Sequence, residues 1–393
     1  MNAFDVIIAG CGPAGATAGF ILARQGLSTA MIDQHCFPRP KLCGGLLPLK
    51  TTELLHRVFE ERIDTLAEKG IINYTSHGYQ IYLLKDLLVN KTTDLPFSFV
   101  DRSDYDQFLL EKARSQGVAL FQDERVTAVD PVEGDLWTST GKRFKARFII
   151  GADGINSVVR RCFPEDKVKR KTWSANKAAA LEVYIPRSCL QRNIDQPQVH
   201  LGYVDWGYAW VFPNRDSIIV GIGGLSRKNH KNINQLFLDF MAGLNFTAPA
   251  DSDGELKLHG HPIPYGNMLT RPVHRNVVLT GDAAGLADPI TGEGIYYAHR
   301  SSEMAALSIL RTVKTGAPLE ETCLKLMQRH VFPELRRAKL LRILVFGALK
   351  RLPAAMTKRL VLWGDRKALH VIHGLRGYTL KARVKGGRHE DCP

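Results

Sequence analysis

The period of the hydrophobic positions changes several times along the chain, and each change marks an element. Residues 6–9 form a continuous apolar run, Val6-Ile7-Ile8-Ala9, which with Asp5 reads as a buried strand. A glycine-rich turn follows, then a helical pattern over 16–25 with Gly26 as its stop, and a short strand over 28–32 that ends at Asp33. This is a βαβ opening. A proline- and glycine-rich loop over 37–48 leads to a helical pattern over 51–69, and alternation over 71–100 predicts short strands. Asp101-Arg102-Ser103 opens an amphipathic helix to 116, and strand patterns resume over 118–150, closing at Gly151-Ala152-Asp153-Gly154. Between 175 and 225 four strand patterns (179–185, 199–203, 208–212 and 218–223) occur without long helices, which predicts a separate antiparallel sheet. A buried strand over 276–280 and a helix over 294–313 come next. Helical patterns then dominate, broken at Pro333 and Pro353.

Composition narrows the class. With 393 residues, 45% hydrophobic and 23% charged, the chain is an ordinary globular protein; disorder, collagen repeats and disulfide miniproteins are excluded. About 150 residues per domain gives two or three domains, with two as the default. The seven cysteines are scattered without CxxC spacing, which points to a reducing compartment and to neither a disulfide framework nor a zinc ribbon. No basic n-region precedes the first apolar run, so secretion is not expected. The net charge of +14 is concentrated late: 17 basic residues stand against 6 acidic ones from Glu320 to Pro393. No apolar run reaches the roughly 20 residues of a membrane span.

The first candidate chemistry lies in the opening turn. Gly10-x-Gly12-x-x-Gly15 sits between a strand and a helix, with Pro13 and Ala14 inside it and Asp33 at the end of the next strand. Gly10 makes the turn, Gly12 lets backbone approach a pyrophosphate, and Gly15 lets the helix pack closely. The helix N-terminus offers free N–H groups to phosphate. Asp33 would accept from ribose hydroxyls. At this point NAD and FAD are both open.

Two further motifs favour a flavin. They are Phe148-Ile149-Ile150-Gly151-Ala152-Asp153-Gly154-Ile155-Asn156-Ser157-Val158-Val159-Arg160, and Gly281-Asp282-Ala283-Ala284-Gly285 with Pro289, Gly292, Gly294 and Ile295 downstream. With the fingerprint they resemble the three FAD motifs of the p-hydroxybenzoate hydroxylase-like flavoprotein fold. Asp282, at a strand end, is placed to accept from ribityl hydroxyls, with an ordinary N-cap as the plain alternative. A helix starting near Gly294 would aim its positive end at the negative charge of a reduced flavin. Arg102 either lies near the cofactor or is a solvated helix terminus, and Asp153 and Arg160 read first as structural support. Val126 is counted among the cofactor contacts.

Pro38-Arg39-Pro40-Lys41-Leu42-Cys43-Gly44-Gly45 and Gly207-Tyr208-Ala209-Trp210-Val211-Phe212-Pro213, with Gly221 beyond, resemble the KxCGG loop and the YxWxFP strand of the geranylgeranyl reductase family. Asp205 stands where that family often has proline. The resemblance covers roughly residues 1–320. It implies FAD as cofactor, NAD(P)H or a reduced electron-transfer protein as electron donor, and hydride transfer from reduced flavin to a C=C bond of a prenylated, lipid-like substrate. Such a site must be dry and apolar with one proton source. Cys43 is either that source or a small packing residue. Lys41 either steers cofactor phosphate or is solvated, while Gly44 and Gly45 would admit close backbone approach to the ring. Tyr208, Trp210 and Phe212 share one face of their strand, as walls for a prenyl chain or as plain sheet core.

From 336 to 388 basic and apolar residues alternate, the pattern of a basic amphipathic helix on an anionic membrane, with a solvated helical face as the alternative. No nucleic-acid-binding fold accompanies the charge. The expected fold class is α/β (α+β overall): a Rossmann-like FAD-binding domain over 1–75, 100–165 and 265–319, interleaved with an antiparallel β-sheet substrate domain over 76–99 and 166–264, and a basic helical C-terminal region over 320–393. The expected location is cytoplasmic, peripheral on the inner membrane face, with the oligomeric state open. Rival readings are a flavin monooxygenase on the same fold, or a membrane-bound flavoprotein that passes electrons or binds a polyprenyl carrier.

Overall fold

A computed structural model describes residues 2–164, 170–190, 193–229, 232–244 and 258–378. Cys392 and the basic positions beyond 378 lie outside them; the six described cysteines are free thiols.

The first sheet contains β1 (Asn2–Ala9), β2 (Thr29–Ile32), β6 (Ala119–Phe121), β7 (Val126–Asp130), β8 (Asp135–Thr138), β9 (Arg143–Gly151), β15 (Val273–His274) and β16 (Val277–Leu279). Its central order is β15-β16-β9-β1-β2-β6, parallel from β16 to β6. Val6, Ile7, Ile8 and Ala9 are wholly buried, in one core with Phe20 and Leu22 of the first helix and with Val126 and Leu136 of β7 and β8. The first helix, α1 (Pro13–Arg24), packs on β1 and β2, and α4 (Arg102–Arg114) and, later in the chain, α7 (Ile295–Thr315) pack on α1; α2 (Leu49–Phe59) and α3 (Ile63–Glu68) complete this half. The single helix expected over 51–69 is two. Glu60 takes φ +60°, and Glu61 turns inward to bind Lys69 at 2.9 Å and Lys112 at 2.8 Å, which ends one helix and redirects the next.

The second sheet runs β14 (His259–Pro264), β10 (Lys177–Pro186), β13 (Ser217–Leu225), β12 (Gly207–Pro213), β11 (Gln198–Leu201), β4 (Ile72–Leu83), β5 (Asp86–Val100) and β3 (Leu46–Leu47). It is antiparallel at every pairing but one: β11 lies parallel to β4, which corrects the purely antiparallel expectation. The strands expected to be short over 71–100 form one long hairpin with three register shifts. The period-2 alternation separates two faces. Val183, Ile185, Val211, Ile218, Val220 and Ile222 pack under α6 (Ile233–Leu244) against Phe237 and Phe240. Trp210, Phe212 and Ala180 belong to the opposite face.

The short α5 (Arg170–Ala175) precedes β10. Beyond α7, the chain continues as α8 (Leu319–His330), α9 (Phe332–Arg351) and α10 (Ala354–Ile372). The last two helices dock with charge as well as apolar surface. Arg342 of α9 is buried and donates to the Tyr265 carbonyl and to Asn176 Oδ1. Buried Asp365 of α10 accepts from Tyr79 at 3.1 Å and from Lys91 at 2.6 Å on the hairpin. Lys350 pairs with Asp205 and Lys358 with Asp86, each at 2.8 Å. Several of the late cations are therefore bound to the body of the protein. The residue that departs from the family pattern, Asp205, holds one of them.

Candidate active site

The fingerprint glycines are required by contact distances. Gly10 has φ +99°, and a Cβ there would stand 2.3 Å from the Ala152 carbonyl oxygen. A Cβ at Gly15 would stand 1.9 Å from the Gly10 carbonyl oxygen, so Gly15 packs the turn against the helix and does not line the cavity. Gly12 is the N-cap of α1, which has no side-chain cap; its first-turn amides are left for a ligand. Asp33 Oδ2 accepts from the Cys11 N–H at 2.7 Å and Oδ1 from the His35 N–H at 3.0 Å, which fixes the carboxylate at the cavity wall with lone pairs to spare.

A buried relay orients the start of α1. The Thr17 hydroxyl donates to the Pro13 carbonyl, so it accepts from His299 Nδ1–H, and His299 Nε2 accepts from Tyr105 O–H at 2.7 Å. The His299 pKa is pushed down to about 3 by burial and then by Arg102, in keeping with a neutral ring holding one tautomer.

The second and third motifs support each other. Asp153 Oδ2 accepts from the N–H groups of Val158 and Val159, and burial raises its pKa. Arg160 donates to the carbonyls of Ala283 and Ile155 and stacks on Trp173, bridging the two motifs away from the cavity. Asp282 lines the cavity in the first turn of a short 3-10 helix, and Gly294, not Asp282, is the N-cap of α7. Burial raises the Asp282 pKa while Lys41 and Arg102 oppose the shift. Gly292 (φ +71°), Gly294, Ile295 and Val126 line the same cavity.

Arg102 is not a solvated terminus. Its side chain is 9% exposed and forms a two-pronged bond to wholly buried Asp106, both contacts at 2.9 Å. Arg39, which the sequence reading did not single out, lies 3.4 Å from the same carboxylate and carries an unpartnered buried Nε. Lys41 completes a cationic wall; burial and then Arg102 lower its pKa. Arg39 faces the uncapped start of α1, its Nη2 3.5 Å from where a Gly12 Cβ would stand, and suits a pyrophosphate, while Lys41 and Arg102 act on Asp282 further along the cavity. The glycine cradle, the uncapped helix start and these cations fit FAD. It would lie along the fingerprint with its ribityl and ring end toward Asp282 and Gly292–Ile295.

The two family motifs touch. A Cβ at Gly44 would stand 2.6 Å from the Phe212 ring, and one at Gly45 (φ +69°) would stand 2.2 Å from the Val100 carbonyl oxygen. Protein neighbours thus require both glycines, and both also line the cavity. Cys43 Sγ accepts from the Gly45 N–H at 3.4 Å and lines the cavity. Tyr208 donates to the Thr291 carbonyl, tying the second sheet to the glycine turn before α7.

Register explains how Trp210 fits. His259, Glu182, Gly221 and Trp210 lie opposite one another across β14, β10, β13 and β12, and His261, Ala180, Gly223 and Tyr208 form the adjacent row. A Cβ at Gly221 would stand 2.3 Å from the indole, so the ring lies in space that glycine vacates. Glu182, His261 and Arg39 all line the cavity, and the sequence reading missed all three. The available signals were a charged residue inside the apolar run of β10 and an arginine in the KxCGG loop.

These elements enclose one cavity of ≈ 1630 Å³ that runs from the fingerprint, past Cys43 and the aromatic row, to α9 and α10. This exceeds the roughly 300–1,000 Å³ of a single small-ligand site and leaves room for two occupants. At the far end Leu344, Leu360 and Trp363 line the cavity while standing 68%, 37% and 67% exposed. Among the described residues no helix is long and apolar enough to cross a membrane, and no cluster suits a metal ion.

Comparison with known proteins agrees with this geometry. Residues 3–200 match the FAD binding domain family. A geranylgeranyl diphosphate reductase from Rhodobacter capsulatus is 30% identical over 81% of this chain and 78% of its own length. An uncharacterized protein from Methanosarcina barkeri is 31% identical over 86% and 82%. The crystal structure of a geranylgeranyl bacteriochlorophyll reductase-like protein from Thermoplasma acidophilum superposes with a TM-score of 0.74 at 20% identity, covering 97% of this chain and 94% of that one, which shows a shared fold. The match to the FAD domain across half the chain, with reductase similarity extending well beyond it, places this protein in the geranylgeranyl reductase family of FAD-dependent oxidoreductases.

Proposed function

We propose that the protein saturates C=C bonds in the prenyl chain of a lipid-like substrate. The observation that carries this reading is the continuity of the cavity, from a cofactor cradle along an aromatic wall to an apolar mouth between two helices. The Rhodobacter relative's action on a geranylgeranyl compound supports it. Reduced FAD supplies the hydride. The chain's own residues do the rest: Gly12 and Arg39 hold the phosphates, Asp33 and Asp282 orient the two sugar portions with Lys41 and Arg102 beside Asp282, and Tyr208, Trp210 and Phe212 exclude water around the alkene.

The reading extends to where the substrate comes from. Leu340, Ile343, Leu344, Met356, Leu362 and Trp363 are exposed on α9 and α10, interspersed with Lys339, Arg351, Arg359, Arg366 and Lys367. An anionic membrane surface suits that mixture, and a mouth at this surface would admit a prenyl chain without passing it through water. This supports a peripheral position on the inner membrane face. The electron donor in this reading is NAD(P)H or a reduced electron-transfer protein.

The test is anaerobic. The purified flavoprotein is reduced with dithionite and mixed with geranylgeranyl and polyprenyl lipids in detergent, and flavin absorbance is followed with mass spectrometry of the lipid. Reoxidation with a gain of one hydrogen molecule per bond is the expected result. Reoxidation by oxygen alone, with a hydroxylated product, would replace the reading with a monooxygenase.

A further inference from the structure

Adding hydrogen across an isolated alkene requires a hydride at one carbon and a proton at the other, and the proton must come from a group already in the dry site. Cys43 is the candidate in the KxCGG loop, but a thiol is an intrinsically weaker acid than a carboxyl group. The cavity wall contains a carboxyl group that no motif contains.

Glu182 projects from the middle of β10 onto the cavity face, 4% exposed, and its Oε2 is buried without a hydrogen-bond partner. The Cys43 backbone N–H faces the carboxyl group, placing it beside the signature loop. Its cross-strand neighbours in the same row are His259 on one side and Gly221 on the other, and the Trp210 indole occupies the space over Gly221. The Cys43 N–H serves the carboxyl group, yet Oε2 stays buried without a partner next to both signature motifs, an arrangement that costs stability unless the oxygen serves a ligand.

Resting on the reductase reading, we propose that Glu182 is the acid that protonates the alkene carbon opposite the hydride. In one turnover the C=C π bond breaks and two C–H bonds form. One carbon takes a hydride from the reduced flavin, which leaves oxidised; the other takes the Glu182 proton, which leaves a carboxylate that water reprotonates after product departs. Trp210, over the adjacent Gly221, presents its ring to any positive charge that develops on the protonated chain.

The charged surroundings are set by several elements. Lys41 and Arg102 face Glu182 from the loop and from α4, Cys43 sits opposite, and His259 and His261 flank it on β14. Burial pushes the Glu182 pKa up to about 7, and Lys41 and then Arg102 limit the rise. Burial, then the cations Lys41, Arg102 and Arg39, push His261 down to about 4, so it does not compete as a donor at neutral pH. A raised carboxyl pKa means the acid form is present below about pH 7 and lost above it, so the rate should fall as pH rises through that value.

The experiment compares wild type, Glu182→Gln and Glu182→Asp as FAD-loaded proteins. Anaerobic flavin reoxidation by a prenyl lipid is followed from pH 5.5 to 8.5, and infrared difference spectra are recorded without substrate over the same range. The expected result is a loss of about 100-fold in Glu182→Gln with a flat pH profile, and partial recovery in Glu182→Asp. In the spectra, a protonated-carboxyl band titrating near neutrality should be present in wild type and missing in Glu182→Gln. If wild type turns over and Glu182→Gln matches its rate and profile, Glu182 is not the acid, although the reductase reading stands. If Glu182→Gln loses FAD, Glu182→Asp decides on the same two readouts. Wild type that no prenyl lipid reoxidises removes the reductase reading, and this proposal with it.

Discussion

The half of the molecule that cradles the cofactor and the half that faces the substrate are built on different principles. Around the fingerprint the determining contacts are backbone to backbone: Gly10 against Ala152, Gly15 against Gly10, and uncapped amides at the start of α1. Along the cavity wall of the second sheet, side chain meets glycine, Trp210 over Gly221 and Phe212 over Gly44, although Gly45 and Gly207 meet backbone there as well. The first kind tolerates no substitution because backbone cannot step aside. The second tolerates repacking at a cost, because an aromatic ring can move. The fingerprint glycines should therefore fail completely when altered, and the glycines behind the aromatic row, Gly221 and Gly44, by degrees.

The largest effect is expected at Gly15. Gly15→Val puts atoms inside van der Waals contact of the Gly10 carbonyl and should cost at least about 3 kcal/mol, the upper end of overpacking. The protein should purify without FAD absorbance, if it folds at all; normal flavin content would break the comparison at its root. Asp282→Ala comes next, with a folded protein by circular dichroism that retains little FAD.

Gly221→Val belongs to the other half. It should displace the Trp210 ring and cost about 1–3 kcal/mol in urea unfolding, with FAD retained and tryptophan fluorescence shifted. Loss of FAD here would show that the two halves are not separable.

Acid should distinguish the halves more gently. Burial is the main cause that lowers His200, His261 and His373, each to about 4, and all three belong to the second sheet or to the turn after α10. For these histidines the unfolded state binds more protons, so their stabilising share is complete above about pH 6.5 and declines as pH falls toward 4. In the cofactor half, burial raises Asp153, Asp282 and Glu293, for which the folded state binds protons more readily and acid is favourable. His299 opposes this within the cofactor half, as do Glu61, Glu124, Asp135 and Glu303, whose lowered pKa values make stronger acid, below the ordinary carboxylate range, unfavourable; Glu182 opposes within the other half. Hydrogen exchange at pH 5, corrected for intrinsic rate, should show the second sheet opening before β1 and β9. The smallest effect is expected for Asp205→Ala, which removes a half-exposed pair with Lys350 and should cost about 0–1 kcal/mol after solvent screening.

The same contrast explains what could be read from sequence. The fingerprint and the Asp282 strand end were legible because local geometry demands particular residues within a few positions, and the KxCGG and YxWxFP segments because they resemble a family's motifs. The partners of those segments were not. Gly44 meets Phe212 from far along the chain, and Glu182 meets Trp210 only through the register of three strands. A charged residue in an apolar run was visible, but which face it occupied depended on pairing. The break at Glu60 was hidden because the inward pull on Glu61 comes partly from Lys112 on another helix. The burial of Arg342 was hidden because its acceptors lie on Tyr265 and Asn176.

The row through Gly221 has an evolutionary consequence. Because the indole position is set by the absence of a side chain on the neighbouring strand, the shape of the chamber can be revised by one methyl group at a residue behind the ring. On the proposed reading, a lineage could thereby shift which bond of the substrate is presented for chemistry while every contact residue stays the same. Surveys of substrate preference that compare only the visible lining would miss such a change.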